Sequence, residues 1–582
     1  DVELGGRSSF PPIGDLPYLL TLPGHAFYWF LLDPTPASEQ GWRAPAAAPE
    51  LVTLVLPGGW AGLLDRHNRR QLEQEILPPY LTAQRWFAGK DRSIAATSVV
   101  TEMEIGSCVL SVIEVAYRDG GKQLYSLPLA VHWDEGDGEP VAALVPVTLA
   151  RARRVRAEGV IIEAIAEPGF TLALIQAMAE DRRIAAGDSA VVFTRTSAFA
   201  DHSVPAEPSV RRIGGEQSNT SLLIEEYGVL KLYRRLVDGP SVEVEMTRFL
   251  TEAAHFANTP PLLGFFAMQG ADGSERPLGV LFAALRNQGD AWSQALDYLG
   301  RYIDEALMMA GREAADTPAA VQTTHPLYLE LAAKLGQRTG ELHRALCPGG
   351  DAGPEFAPEP TTPADLKAWS RRALDSAATV LGKLAEQRPD LTAQSHELAV
   401  QLLDRREVLL RRLGGLLPRT VAAMKTRIHG DYHLGQVLVI QNDFSIIDFE
   451  GEPLRTPEER RHKFSPLVDV AGMVRSFAYA SASALRRVAE IQPAGRAALE
   501  APADEWRRQV TAAFLGSYRD ATAGLPSLPA DPAVAAAMLD FFTLDKALYE
   551  LGYELANRPG WVDIPLAAVL RLIEESSIDA GS

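Results

Sequence analysis

Cysteine is nearly absent: 582 residues contain two, Cys108 and Cys347, far apart along the chain. That excludes a disulfide-built scaffold and a zinc site made of several cysteines, and it fits a reducing cytoplasm. Long apolar runs are missing too. A spanning helix needs roughly 20 uninterrupted apolar residues, and the longest suggestive run, Ala26–Leu32, falls far short, so no membrane is expected. No basic segment followed by an apolar one opens the chain, so a secretory leader is not expected. Positive charge is in deficit: 56 Lys and Arg against 75 Asp and Glu give a net charge of −19. A field of that sign repels polyanions at long range and argues against nucleic acid as a partner, while leaving room for a local basic pocket. What is present is a globular composition, 47% hydrophobic and 23% charged, which excludes global disorder. At roughly 100–200 residues per domain, the length suggests three or four units. The first residue is Asp1, not Met, which reads as a processed chain or a piece of a longer one.

Composition along the chain marks those units. Residues 1–45 read as a hairpin, Tyr18–Leu22 and Ala26–Phe30 around Pro23-Gly24, followed by an Ala/Pro-rich linker. Residues 46–205 mix a helical segment near 63–77 with β-rich runs, among them Ser107–Ala116, Gln123–His132 and Pro140–Val147. This reads as an α+β module in which Arg85-Trp86-Phe87 is a packing corner. Residues 206–289 carry short strands, a polar loop at Gly214–Ser221 and a helix over Val242–Glu252 whose apolar Val242, Met246, Phe249 and Leu250 recur at helical spacing. Residues 290–582 are helical except for one interruption, 426–453.

That interruption carries the chemistry. Two apolar β-runs, Val437–Ile440 and Phe444–Ile447, flank the polar turn Asn442-Asp443 and predict a hairpin. Asp431 and Gln436 precede its first strand and Asp448 follows its second, so pairing brings residues 17 apart into one site. Two carboxylates and an amide oxygen are hard ligands suited to Mg²⁺ and a bound nucleotide. Phosphoryl transfer needs such a set: one carboxylate for the attacking hydroxyl, others for the metal on the phosphates.

His429-Gly430-Asp431 with Gln436 and Asp448-Phe449-Glu450 resembles the catalytic and metal loops of the aminoglycoside-phosphotransferase-like kinases. The strings HGDYHLGQ, IDFEGEP and DVAGMVRS, with PPYLTAQRWFAGKDR at 78–92, EQSNTS at 216–221 and LYELGYELANRPGW near 548–561, resemble the maltokinase branch of that group. The resemblance spans roughly 51–575 and implies a bilobal α+β, eukaryotic-kinase-like fold: a cap subdomain over 46–205, an N-lobe over 206–289 and a helical C-lobe over 290–582. It also implies Mg²⁺-dependent transfer of the ATP γ-phosphate to the anomeric hydroxyl of maltose, feeding α-glucan synthesis. Asp431 then matches the catalytic base, Gln436 and Asp448 the metal ligands, and Lys231 the lysine that pairs with nucleotide phosphates. Gln217, Ser218 and Asn219 of the polar loop are expected at the phosphates, and the Leu281–Gly289 segment at adenine. Glu245 is the expected ion-pair partner of Lys231, although Glu243 lies two residues away on another helix face.

For the sugar the candidates are His433, Glu450, Glu452, Arg455, Tyr549 and Glu550, with Arg455 and Lys463 offering a basic site for an entering phosphate ester. Spacing 546/549/550/553/557 puts Lys546, Tyr549, Glu550, Tyr553 and Asn557 on one helix face. Each has a bland counterpart: Lys231 can snorkel from an apolar strand, Asp431 and Asp448 can cap turns, His429 can be structural, and the late helix can be an exposed amphipathic face. Phe10–Leu22 followed by Phe27–Phe30 resembles the end of the C-terminal β-domain of trehalose synthase, which implies a fused or associated trehalose synthase as partner. A kinase for another small sugar or aminoglycoside, and a non-catalytic kinase-like module attached to a trehalose synthase, are the competing readings. Intact Lys231, Asp431, Gln436 and Asp448 argue against the latter.

Overall fold

The computed structural model describes residues 2–3, 30–31, 51–58, 62–134, 144, 147–206, 209–214, 218–313, 325–350, 352–453, 455–491 and 496–574. Of the expected opening hairpin only Val2–Glu3 and Phe30–Leu31 are described, as an antiparallel pair; the rest lies outside the described residues. So does most of the expected run Pro140–Val147, of which Leu144 and Val147 are described.

The cap contributes six strands to a seven-stranded sheet, backed by a helical segment over 66–83. Its strands are β1 (Thr53–Val55), β2 (Ile94–Ile105), β3 (Cys108–Tyr117), β4 (Lys122–Trp133), β5 (Thr148–Arg154) and β6 (Ala157–Glu163), in the order β1-β5-β6-β4-β3-β2. One face is apolar at every second residue. Ile113, Val115, Tyr125 and Leu127 are fully buried there, against Leu72, Leu77 and Leu81 of the helical segment. Complete burial of such a side chain contributes roughly 1.5–3 kcal/mol each. Trp86 and Phe87 pack on Tyr125 at ring distances of 6.0 and 5.1 Å and form a packing corner, while Arg85 is exposed.

A helix α1 (Pro168–Ala179) leads into a second, seven-stranded sheet. Its strands are β7 (Arg183–Ala186), β8 (Ser189–Arg195), β9 (Val210–Arg212), β10 (Asn219–Ile224), β11 (Gly228–Tyr233), β12 (Leu262–Gln269) and β13 (Glu275–Ala283). Their order is β9-β10-β11-β13-β12-β8-β7, so two strands that precede residue 206 complete this sheet. The short strand Arg235–Leu236 pairs in turn with β4 of the cap. At that seam Arg234, fully buried, donates to Glu163 at 2.9 Å and to the Thr220 hydroxyl at 2.8 Å, and its guanidinium lies 4.8 Å from the Trp86 ring. Cap and N-lobe therefore share buried charge as well as strands.

Between β11 and β12 lies α2 (Val242–Arg248), capped by the Ser241 hydroxyl on the Val244 N–H. The helical lobe follows, with α3 (Ala291–Glu313), α4 (Pro326–Ala345), α5 (Pro363–Gln387), α6 (Ala393–Asp404) and α7 (Arg406–Leu416). The hairpin β14 (Val437–Ile440) and β15 (Asp443–Ile446) interrupts it, and α8 (Leu467–Ile491), α9 (Arg496–Ala521), α10 (Pro532–Asn557) and α11 (Asp563–Glu574) complete it. Helices α4 and α9 approach closely because Gly336 faces the Phe514 carbonyl, where a Cβ would stand 2.1 Å from the oxygen. The lobes join at 285–290. There Gln288 donates to the Val439 carbonyl and Val439 to that of Gly289, at 2.8 and 2.9 Å. The result is a bilobal, kinase-like α+β fold. Among the described residues no helix is long and apolar enough to cross a membrane.

Candidate active site

The hairpin forms as the alternation of apolar residues requires, with Val437, Val439, Phe444 and Ile446 buried. The loops at its two ends are tied together by His429. Its Nε2–H donates to the Ile447 carbonyl at 2.9 Å, leaving Nδ1 to face the Asp431 N–H at 3.4 Å. His429 thus holds the loops in place. A second brace comes from α8, where Asp469 accepts the His429 and Gly430 backbone N–H groups, both at 2.8 Å, and the His343 imidazole at 3.2 Å. Burial opposes ionisation of Asp469, but His343 and those N–H groups hold its carboxyl below the usual range. The helix can come this close because position 472 is glycine: a Cβ there would stand 2.5 Å from the Tyr432 carbonyl.

On the nucleotide side Lys231, in the middle of β11, meets three carboxylates. Its ammonium lies 3.1 Å from Glu243, 2.9 Å from Asp448 and 2.5 Å from Glu450. The pairing partner on α2 is therefore Glu243, not Glu245. Glu243 faces the sheet and is 2% exposed, whereas Glu245 faces the other way onto Arg427 and Arg461. Burial alone would favour a neutral amine, yet the three carboxylates keep Lys231 protonated well beyond its ordinary range. Burial likewise pushes the Glu243 carboxyl up to about 8 despite the neighbouring ammonium. It opposes ionisation of Asp448 as well, but Lys231 and the Gln436 amide hold that carboxyl down. Gln436 Nε2 donates to Asp448 Oδ2 at 2.9 Å. Asp448 itself has φ +67°, a left-handed conformation that Asp tolerates better than most residues.

Carboxylate oxygens of Glu243, Asp448 and Glu450 lie within 4.8 Å of one another, a set of hard donors fit for a divalent cation. Glu450, expected at the sugar, instead faces Lys231 and accepts from Asn219 Nδ2 at 3.0 Å, which ties the metal loop to the polar loop. Ser218 stands beside Asn219, while Gln217 lies outside the described residues.

The surroundings of Asp431 are looser. Asp431 is 21% exposed, with Lys546 Nζ at 3.5 Å and His433 Nε2 at 3.9 Å. Burial keeps the His433 imidazole neutral to lower pH than usual, with Asp431 pulling the other way. Lys546 also lies 4.7 Å from the Tyr549 ring. Glu452 is 2.6 Å from Arg455, and the Tyr549 hydroxyl is held protonated by burial and by the charges of Glu452 and Asp431. Asp431, Glu452, Lys546 and Tyr549 thus converge on one recess.

Other expected sugar residues stand elsewhere. Glu550 is committed to buried Arg475 at 2.6 Å, on the neighbouring face of α10. Arg455 and Lys463 do not form a basic site for an entering phosphate: Arg455 is bound to Glu452, and Lys463 to Glu359 and the Pro354 carbonyl, both at 2.7 Å. His343 and Asp469 stand outside the expected site residues, and Glu243 entered only as the alternative to Glu245. Asp469 lies within the string DVAGMVRS, and its Gly472 was the available signal.

Comparison with known proteins can now be set beside this geometry. Residues 80–166 match the family model of the maltokinase N-terminal cap domain, and residues 209–452 match that of the phosphotransferase enzyme family. A glucosamine kinase of Mycolicibacterium smegmatis (strain ATCC 700084 / mc(2)155) is 28% identical over 371 residues, 63% of this chain and 80% of that protein. A trehalose synthase/amylase TreS of the same organism is 62% identical over 42 residues, 7% of this chain and 7% of that one. A solved glucosamine kinase in complex with glucosamine, ADP and inorganic phosphate shares the fold, with TM-score 0.57 and 18% identity, over 89% of this chain and 100% of that one.

Proposed function

Because the chain joins a maltokinase N-terminal cap domain to a phosphotransferase-family kinase domain and carries a trehalose-synthase-like segment, we propose that it phosphorylates maltose at the anomeric hydroxyl. ATP is the donor and maltose 1-phosphate, destined for α-glucan synthesis, is the product. The observation that carries this reading is the recess of Asp431, Lys546 and Tyr549 beside the Lys231–Asp448 cluster.

In this reading the nucleotide phosphates lie between Lys231 and the polar loop at Ser218 and Asn219, and the lysine exchanges part of its carboxylate shell for phosphate oxygens. Asp448 and Gln436, with Glu243 and Glu450 close by, would hold Mg²⁺, which when bound neutralises phosphate charge. Three carboxylates around one ammonium leave negative charge over, which fits a divalent cation. Asp431 orients the sugar hydroxyl and takes its proton as the new O–P bond forms and the β,γ-bridging O–P bond breaks, leaving ADP. Lys546, 3.5 Å from Asp431, orients that carboxylate for the role, and Tyr549 gives the sugar an apolar face to lie against. His433 and Glu452 border the same recess. The reaction belongs in the cytoplasm, where ATP is supplied, and the trehalose-synthase-like segment favours association with a trehalose synthase as the source of maltose.

A second reading takes glucosamine as acceptor and is favoured by the relative matched over 63% of the chain. The test is ATP consumption with maltose, glucosamine, glucose, trehalose and kanamycin, with the phosphate position read by NMR. Turnover of maltose with phosphate on the anomeric carbon is expected. Turnover of glucosamine or kanamycin without maltose would overturn the assignment, and no turnover at all would favour a tethering module.

A further inference from the structure

Arg234 follows β11 directly and is fully buried at the seam between cap and N-lobe, where both units hold it. From the cap, the Ser126 N–H of β4 donates to the Arg234 carbonyl at 2.8 Å, Glu163 at the end of β6 accepts from its Nη2 at 2.9 Å, and the Trp86 ring lies 4.8 Å from the guanidinium. From the N-lobe, the Thr220 hydroxyl of β10 accepts from its Nε at 2.8 Å.

The register of β10 on β11 gives that anchor a direction. Asn219 stands opposite Tyr233 and Ser221 opposite Lys231, and residues paired in this way share a face of the sheet. That face carries the Lys231 cluster: Asn219 donates to Glu450, while Lys231 and Tyr233 both donate to Glu243. Thr220, between Asn219 and Ser221, points to the other face and is buried. The strand that carries Asn219 is thus held from behind, one residue away, by a side chain whose charge partner belongs to the cap. The seam is also poorly suited to stability alone. Glu163 Oε1, Arg234 Nη1 and Trp86 Nε1 are buried with no hydrogen-bond partner among the described residues. Unmatched buried polar groups cost stability that apolar packing would not. What a guanidinium supplies here is geometry, because its planar fork fixes the angle between Glu163 and Thr220.

We propose that Arg234 is a positioning residue through which the cap sets nucleotide affinity. Glu163 orients the guanidinium, the guanidinium pins Thr220, and Thr220 holds Asn219 where it meets Glu450. None of Glu163, Arg234 and Thr220 faces the nucleotide. The inference rests on the reading of Lys231, Asn219 and Glu450 as the nucleotide side and is independent of which sugar is phosphorylated.

Calorimetric titration of the full chain with Mg²⁺–ADP, alongside thermal denaturation of each variant, tests it. Thr220→Val keeps the side-chain shape but removes the acceptor of Arg234, and it should weaken ADP binding about three- to tenfold. Thr220→Ser keeps the hydroxyl and should stay within about twofold of wild type. Glu163→Gln, in the cap, should weaken binding about threefold alone and add nothing to Thr220→Val, because both act through one guanidinium. KM for the acceptor should stay within about twofold throughout. If either Thr220→Val or Glu163→Gln fails to fold, the other carries the test against wild type. A seam that serves stability alone would lower Tm in these variants and leave ADP affinity unchanged, and that result overturns the proposal. So do additive losses of affinity in the double variant. A wild type that binds no ADP would instead overturn the nucleotide reading of Lys231, and this inference with it.

Discussion

Around Lys231 three carboxylates crowd one ammonium at 2.5 to 3.1 Å, with the lysine side chain 10% exposed; around Asp431 one carboxylate meets an ammonium at 3.5 Å and an imidazole at 3.9 Å, with 21% exposed. The Lys231 cluster is thus dry at Lys231 and Glu243 but open at Asp448 and Glu450, which are 35% and 28% exposed, and it is over-supplied with acids and tied from several directions, while Asp431 is held by longer contacts. Buried charges are tolerated only when paired and hydrogen-bonded. The Lys231 cluster meets that requirement only in part, since its surplus acids call for further positive charge. In the proposed reading a divalent cation between these acids and the nucleotide phosphates would bring such charge. Asp431 is lightly engaged, which under the proposed reading suits a group that receives a proton and then releases it. Damage to the two sides should therefore be told apart by kinetics.

The largest effect is expected from Asp431→Asn. We expect kcat to fall by roughly a thousandfold or more while ATP affinity stays within about threefold, because positioning and proton acceptance are lost together. Steady-state kinetics with nucleotide binding followed separately checks this, and a variant that keeps near-normal kcat would remove Asp431 as the base. The next effect separates two glutamates on one short helix. Glu243→Ala should cut kcat/KM for ATP by about ten- to a hundredfold, since Lys231 loses its buried hydrogen-bond acceptor. Glu245→Gln should leave ATP kinetics within about twofold but lower stability by about 2 kcal/mol, because Arg427, 2% exposed, loses a charge partner. The reverse pattern in thermal denaturation and kinetics would restore Glu245 as the partner of Lys231.

That pair of glutamates also shows how far the sequence carried. The hairpin at 437–446 was readable because apolar alternation and a polar turn are local signals, and it brings Gln436 and Asp448 together as their positions require. The rotation of α2 was not readable. Counting apolar residues makes Val242, Met246, Phe249 and Leu250 the buried face, and that rule turns any acid outward. In the fold Glu243 and Thr247 are buried as well, with Glu243 accepting from Lys231 and from the Tyr233 hydroxyl. No local pattern reports a carboxylate whose partner sits on a neighbouring strand. The same limit hid the brace from Asp469 to His429 and Gly430, and the passage of β7 and β8 into the second sheet, because helix docking and strand pairing are long-range events. Arg455 and Lys463 misled for a related reason: a basic residue in sequence is available to a ligand only if no acid in the fold has already claimed it.

A smaller effect is expected at the metal position. Gln436→Ala removes an amide beside Asp448 and should raise the Mg²⁺ concentration for half-maximal rate by about three- to tenfold. Maximal rate at saturating Mg²⁺ should change less. An unchanged metal titration would count against Gln436 as a ligand and would leave it a support for the Asp448 side chain.

The smallest expected effect is on stability, and it probes the dryness of the nucleotide side directly. In the folded chain the Glu243 carboxyl holds its proton up to about 8, against an ordinary value of 4.5, because burial penalises the carboxylate more than Lys231 rewards it. A group whose folded value is raised binds more protons folded than unfolded between those two values. Its contribution is full below the ordinary value and declines as pH rises through the folded one. Wild type should therefore lose Tm relative to Glu243→Gln as pH goes from 5 to 8, by a few degrees at a few °C per kcal/mol for a domain of this size, because the amide does not titrate. Saturating Mg²⁺ alone should shrink that loss, since a divalent cation beside the cluster lowers the cost of the carboxylate. A Tm difference that stays flat with pH would mean that Glu243 is ionised throughout and that Lys231, with its three acids, forms a fully charged cluster without any nucleotide present.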